Sequence, residues 1–95
     1  MKYGIVDQIG EAAALEQLAE EATELAHAAL KLARITREEN PTPVGRSEAL
    51  DALIEELGDV RLCAAVLGDL YGSLNTVDTE RQKLERWKHR LCKAQ

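Results

Sequence analysis

Apolar positions recur at intervals of three and four along the first long segment of the chain, at Leu15, Leu18, Ala22, Leu25, Ala29 and Leu32. That spacing places them on one helical face, the seam of a helix bundle, and differs from the every-second-residue alternation of a strand. A stripe of small residues, Ala12, Ala19, Ala26 and Ala33, runs beside the seam, so this helix is expected to touch more than one neighbour. Gly10 divides it from a short apolar lead (Tyr3, Ile5, Val6, Ile9), and the periodicity fades near Arg37. Residues 39–45, with Pro41, Pro43 and Gly45, read as a loop. The pattern then returns at Leu50, Leu53, Leu57, Val60, Ala64, Leu67 and Tyr71. Ser47 is the expected cap of this second helix, with Glu48 and Asp51 in its first turn, where the helix dipole favours acids. Gly58, Ala65 and Gly72, spaced by seven, predict close approach of a neighbouring helix. Residues 73–79 form a turn and cap, and 79–94 a third helix whose apolar stripe is Val77, Leu84, Trp87 and Leu91.

The chain has 95 residues, which implies one domain spanning 1–95. Ala and Leu supply 14 residues each, and there are three aromatic residues with no Phe. That is the composition of an all-α bundle, poor in the residues that fill sheets. Two long helices and a C-terminal one leave a bundle incomplete, so a homodimer or homotetramer that completes a four-helix core is expected.

Charge narrows the partners. Residues 1–78 hold 15 acids and 6 bases, net −9, whereas residues 79–95 hold 2 acids and 6 bases, net +4. An overall charge of −5 argues against a nucleic-acid polymer as partner. No apolar run approaches the ~18 residues of a membrane span, so no membrane partner is expected. Met1-Lys2-Tyr3-Gly4 opens without the apolar stretch of a secretory signal. Cys63 and Cys92 are expected to be reduced thiols, and the chain to be cytoplasmic. They lack the CxxC or Cys/His spacing of a zinc site.

Within the acidic part, Glu20, Glu21 and Glu24 fall inside an arc of about 100° on the first long helix, with Glu21 nearest the seam. On the second, Glu56 and Asp59 are three apart, and Asp59 directly precedes the seam residue Val60. Antiparallel packing would bring the two carboxylate groups together, where they would repel unless a cation compensated them. Hard divalent cations such as Mg²⁺ take oxygen ligands and retain waters, which suits a site open to a phosphate chain. The plain alternative is a set of solvated helix-face charges.

Glu20-Glu21-Ala22-Thr23-Glu24 followed by Glu56-Leu57-Gly58-Asp59 reads EExxE … ExxD. In this the chain resembles the all-α nucleoside triphosphate pyrophosphohydrolases of the MazG-like superfamily. The resemblance runs through both long helices, including Leu25 and Val60 after the motifs, and with the C-terminal helix covers most of the chain. The 31 residues between Glu24 and Glu56 (25–55) make a somewhat long interval, which the proline loop would absorb. The resemblance implies hydrolysis of a (d)NTP to (d)NMP and pyrophosphate, a role in cleansing the nucleotide pool, and Mg²⁺ (Mn²⁺ being an alternative) on Glu21, Glu24, Glu56 and Asp59. It leaves Glu20 to orient the water, act as base or support a ligating carboxylate. Phosphoribosyl-ATP pyrophosphohydrolase, of similar size, ranks below because the Gly58-Asp59-Val60 context looks MazG-like.

On the third helix Lys83, Arg86, Arg90 and Lys93 form a stripe of about 80° beside the apolar one. Lys and Arg from a C-terminal helix contact the triphosphate in the family, which points to Lys83 and Arg86. Offsetting the helix dipole and solubilising the helix explain the same bases. Trp87 suits either a stacked base or a core position, and Asn75 either a base edge or turn chemistry. Glu24-x-x-His27 resembles half of a di-iron motif, but the second helix offers Glu56-x-x-Asp59 without His, and an all-oxygen set fits Mg²⁺ better. A non-enzymatic helical homodimer, an adaptor or structural protein, is the reading from another class.

Overall fold

The structure, a computed structural model, describes residues 2–38, 45–72 and 74–94. All regular structure among them is helical: α1 (Ile5–Ile9), α2 (Glu11–Arg37), α3 (Arg46–Tyr71) and α4 (Val77–Ala94). The expected proline loop lies, except for Gly45, outside the described residues.

Each boundary has a local cause. Gly10 takes φ 90° and ψ 162°, a conformation open to glycine and strained for other residues, so the chain turns there between α1 and α2. Its N–H closes α1 on the Val6 carbonyl at 2.8 Å. α2 then runs for 27 residues rich in Ala, Leu and Glu, with Glu11 in its first turn and Arg34 and Arg37 in its last. The expected Ser47 cap is not formed. α3 starts at Arg46 after Gly45, two residues before a Ser47 cap would start it, and makes no side-chain cap, so Ser47 sits inside the first turn. α4 begins at Val77, two residues before the predicted start. Asn75 Oδ1 accepts the Val77 N–H at 3.0 Å, and the Thr76 hydroxyl donates to the Glu80 carboxylate. Those contacts show Asn75 serving the turn.

α2 and α3 pack as an antiparallel pair. Arg46 Nη1 donates to Thr36 Oγ1 at 2.7 Å at one end, and the Tyr71 hydroxyl donates to Glu11 Oε2 at 2.7 Å at the other. α1 crosses the second end and touches both long helices. The backbone N–H groups of Tyr3 and Gly4 donate to Asp69 Oδ2 at 2.6 and 3.2 Å, anchoring the start of α1 to α3.

Only half of each predicted seam is covered. Leu18, Leu25 and Leu32 of α2 and Leu53, Val60, Ala64 and Leu67 of α3 turn inward. Leu15, Ala22 and Ala29, and likewise Leu50, Leu57 and Tyr71, are exposed. A three-four seam sits between two neighbours, and within one chain each long helix has one long neighbour. For the same reason the space around Gly58 is open, so the close approach predicted there is not made in this chain. α4 packs against none of the other helices. The fully buried side chains among the described residues are Ala14, Ala49 and Leu67.

Leu67 is 1 % exposed and is the largest side chain sealed in the pair. Leu67→Ala should therefore cost about 2–5 kcal/mol, transfer and cavity effects together. Urea unfolding followed by circular dichroism checks this, against a Leu50→Ala control that should cost far less in an isolated chain.

Candidate functional site

The antiparallel pairing sets the middle of α2 beside the middle of α3, and with it the two acidic motifs. Glu21, Glu24 and Glu56 each offer an oxygen, and the three oxygens lie within 4.8 Å of one another. Glu21 and Glu56 are half-buried and Glu24 is exposed. Glu21 continues the inward row of Ala14, Leu18 and Leu25, and Glu56 lies between Leu53 and Val60. Both carboxylates thus occupy places in the helix–helix seam where an apolar side chain would ordinarily pack.

Their hydrogen bonding is incomplete. Gln17 Nε2 donates to Glu21 Oε1 at 2.8 Å, one turn away on the same helix. Glu21 Oε2 and Glu56 Oε2 are closed off from water and have no hydrogen-bond partner. A sealed carboxylate oxygen without a donor is costly. Two such oxygens in one cluster mark a place that a cation or a proton would relieve.

Asp59 belongs to the same neighbourhood. It lines a cleft of about 330 Å³ together with Glu21, Gln17 and Cys63, and with Ile5 and Ile9 from α1 and Leu62 and Val66 from α3. α1, anchored by Asp69, forms one wall of that cleft. Desolvation pushes the Glu21 and Glu56 carboxyls above their usual 4.5, and neighbouring carboxylates, Glu24 and Asp59 on both, push further the same way. Gln17 opposes this at Glu21 by bonding the charged form. The Cys63 thiol is raised too, by burial first and by Glu21 and Asp59 next, which makes it a poor nucleophile.

Glu20 is exposed on α2, one residue from Glu21 and outside the convergent three. Lys83 and Arg86 are exposed on α4, apart from the α2–α3 pair. Trp87 is 59 % exposed on the same helix. His27 is exposed and is not part of the convergent group. Three contributors escaped the reading of the sequence. Gln17 stands four residues before Glu21, a spacing that could have flagged it. Ile5 and Ile9 reach the cleft through the Gly10 turn, which the glycine marks, and through the Asp69 anchor, which carries no local signal.

No protein-family model, curated protein or solved structure matches the chain. Its chemistry is therefore read from the site itself.

The raised carboxyls make stability depend on pH. The folded chain holds protons on Glu21 and Glu56 more tightly than the unfolded chain does. The stability this contributes is full below 4.5 and is lost as pH rises through the raised folded values. Glu56→Gln removes one of the repelling charges and keeps the shape. Without divalent metal it should melt above wild type at about pH 8, with the gap closing toward about pH 4. A thermal-denaturation series across pH checks the sign; a variant that melts lower at the alkaline end contradicts it.

Proposed function

We propose that the chain is a Mg²⁺-dependent nucleoside triphosphate pyrophosphohydrolase, converting a (d)NTP and water to (d)NMP and pyrophosphate. The observation that carries this reading is the convergence of Glu21, Glu24 and Glu56, with two sealed and unpartnered oxygens, beside a cleft that Glu21 and Asp59 line. The donor set is all carboxylate, the chemistry that hard cations select, so Mg²⁺ or Mn²⁺ fits the residues present. The order EExxE … ExxD along the two helices supports the same assignment.

Glu21, Glu24, Glu56 and Asp59 would hold the metal. When bound, it neutralises phosphate charge and makes a water more acidic for attack. The remaining work belongs to side chains of the chain. Gln17 orients Glu21 by its amide bond, and the apolar walls from α1 and α3 receive the nucleoside and exclude water from it. Glu20, exposed beside the cluster, takes up the proton of the attacking water as water adds across the α–β phosphoanhydride. Lys83 and Arg86 supply positive charge to the phosphate chain, Arg by two parallel hydrogen bonds. The working form is a homodimer or homotetramer, and its role is cleansing of the nucleotide pool.

A non-enzymatic helical homodimer is the second reading, and the extent of exposed apolar surface favours it. The two readings part on metal. A cluster that holds Mg²⁺ in the folded state raises the melting temperature with millimolar Mg²⁺ or Mn²⁺. A solvated acidic face shows only the screening any salt provides.

Pyrophosphate release from a panel of common and damaged NTPs and dNTPs tests the activity. Wild type should release it only with divalent metal. Glu56→Gln should lower the rate by more than about 100-fold, the upper end of what losing a ligand's supporting partner alone costs a metal site. A folded wild type that neither turns over any nucleotide nor gains stability from Mg²⁺ would remove the enzymatic reading.

A further inference from the structure

An 18-residue helix is marginal in water on its own, and α4 packs against no other helix of its chain. It is nonetheless built to be covered. Val77, Leu84, Trp87 and Leu91 share an arc of about 80°, and all four are exposed, Trp87 by 59 %. α3 carries a matching row turned away from α2: Leu50, Ile54 and Leu57, also exposed.

Three further observations bear on what covers these faces. The first is charge. Lys83, Arg86, Arg90 and Lys93 flank the α4 stripe, whereas Glu48, Asp51 and Glu55 accompany the α3 row. The second is surface. The chain exposes 7599 Å², against about 5,400 Å² for a compact monomer of its mass. The excess of roughly 2,200 Å² per copy, given up by two copies, falls in the range of obligate homodimer interfaces. The radius of gyration, 17.0 Å, likewise exceeds the ~12 Å of a compact chain this long.

The third is reach. Residues 72–76 join the end of α3 to the start of α4. If α4 folded back along its own α3, Val77 would lie level with Tyr71. Leu91, about 21 Å further, would then draw level only with Leu57. Leu50 and Ile54 would stay bare, and the basic stripe would run past Arg61.

We propose that α4 is an exchanged arm. The Leu84–Trp87–Leu91 stripe of one copy seats on the Leu50–Ile54–Leu57 row of a second copy, and the second copy's α4 does the same in return. The contact is self-complementary, as a two-fold interface requires, and sets the basic stripe of each arm against the acidic first half of the other copy's α3. It requires neither nucleotide nor metal, so it stands or falls apart from the pyrophosphohydrolase reading.

Trp87 is the sole tryptophan, so the full-length protein carries its own reporter. Sedimentation velocity and Trp87 emission would be measured together, without nucleotide or divalent metal, from sub-micromolar to hundreds of micromolar protein. The expected result is a mass of two copies or a multiple, accompanied by the blue-shifted emission of a buried indole. The double variant Leu84→Asp, Leu91→Asp should remain a single copy with red-shifted emission. Circular dichroism should show α1–α3 retained in it, since α4 touches none of them. The proposal is overturned by a wild type that stays monomeric throughout, by a dimer whose Trp87 remains water-exposed, or by a double variant that still dimerises through the same range. Blue-shifted emission in a monomeric wild type would place α4 on its own chain and overturn it equally.

Discussion

Everything at the candidate site follows from two glutamates occupying the seam between α2 and α3. Glu21 and Glu56 hold positions that Leu or Ala fill elsewhere along the same rows, and each leaves one carboxylate oxygen sealed without a donor. Filling those places with hydrocarbon would remove both the repulsion and the unsatisfied oxygens. The arrangement therefore subtracts from stability in the isolated chain. Such a conflict between local packing and global fold is expected where a site needs charge held ready. The packing of Leu18, Leu25 and Leu32 against Leu53, Val60 and Leu67 above and below the cluster holds the two helices together in spite of it.

That support is thin. With Ala14, Ala49 and Leu67 the fully buried side chains among the described residues, the pair has little core to set against chain entropy. The side-chain bonds at the ends, Arg46 to Thr36 and Tyr71 to Glu11, fix the antiparallel register without adding core. The raised hydroxyl of Tyr71, caused first by its bond to the Glu11 carboxylate, belongs to that register lock. A slip of one turn would move Glu56 away from Glu21 by about 5 Å. The geometry of the cluster thus depends on contacts far from it.

The three-four spacing of leucines made the two long helices readable from the sequence, and Gly10 and Gly72 marked their limits. The acidic motifs were readable because residues three apart share a helix face and the seam fixed which face. Ser47 does not cap α3 because capping depends on where the first turn starts, and the helix starts after Gly45, two residues earlier than a Ser47 cap requires. The apolar lead was visible, but its role as a wall of the cleft depends on the turn at Gly10 and on Asp69, sixty-odd residues away. Which half of each seam lies open could not be read either, because spacing counts the neighbours a helix needs and says nothing of whether they come from the same chain.

The same distinction bears on the segregation of charge. A lysine or arginine placed among Glu21, Glu24 and Glu56 would neutralise the cluster and fill its unsatisfied oxygens, leaving nothing for a cation to bind. Half of the twelve bases are instead on α4, which packs against no other helix of its own chain among the described residues. The acidic seam is frustrated because the Glu21–Glu24–Glu56 cluster meets no base of its own chain among the described residues, whichever acids the α4 stripe meets in a second copy.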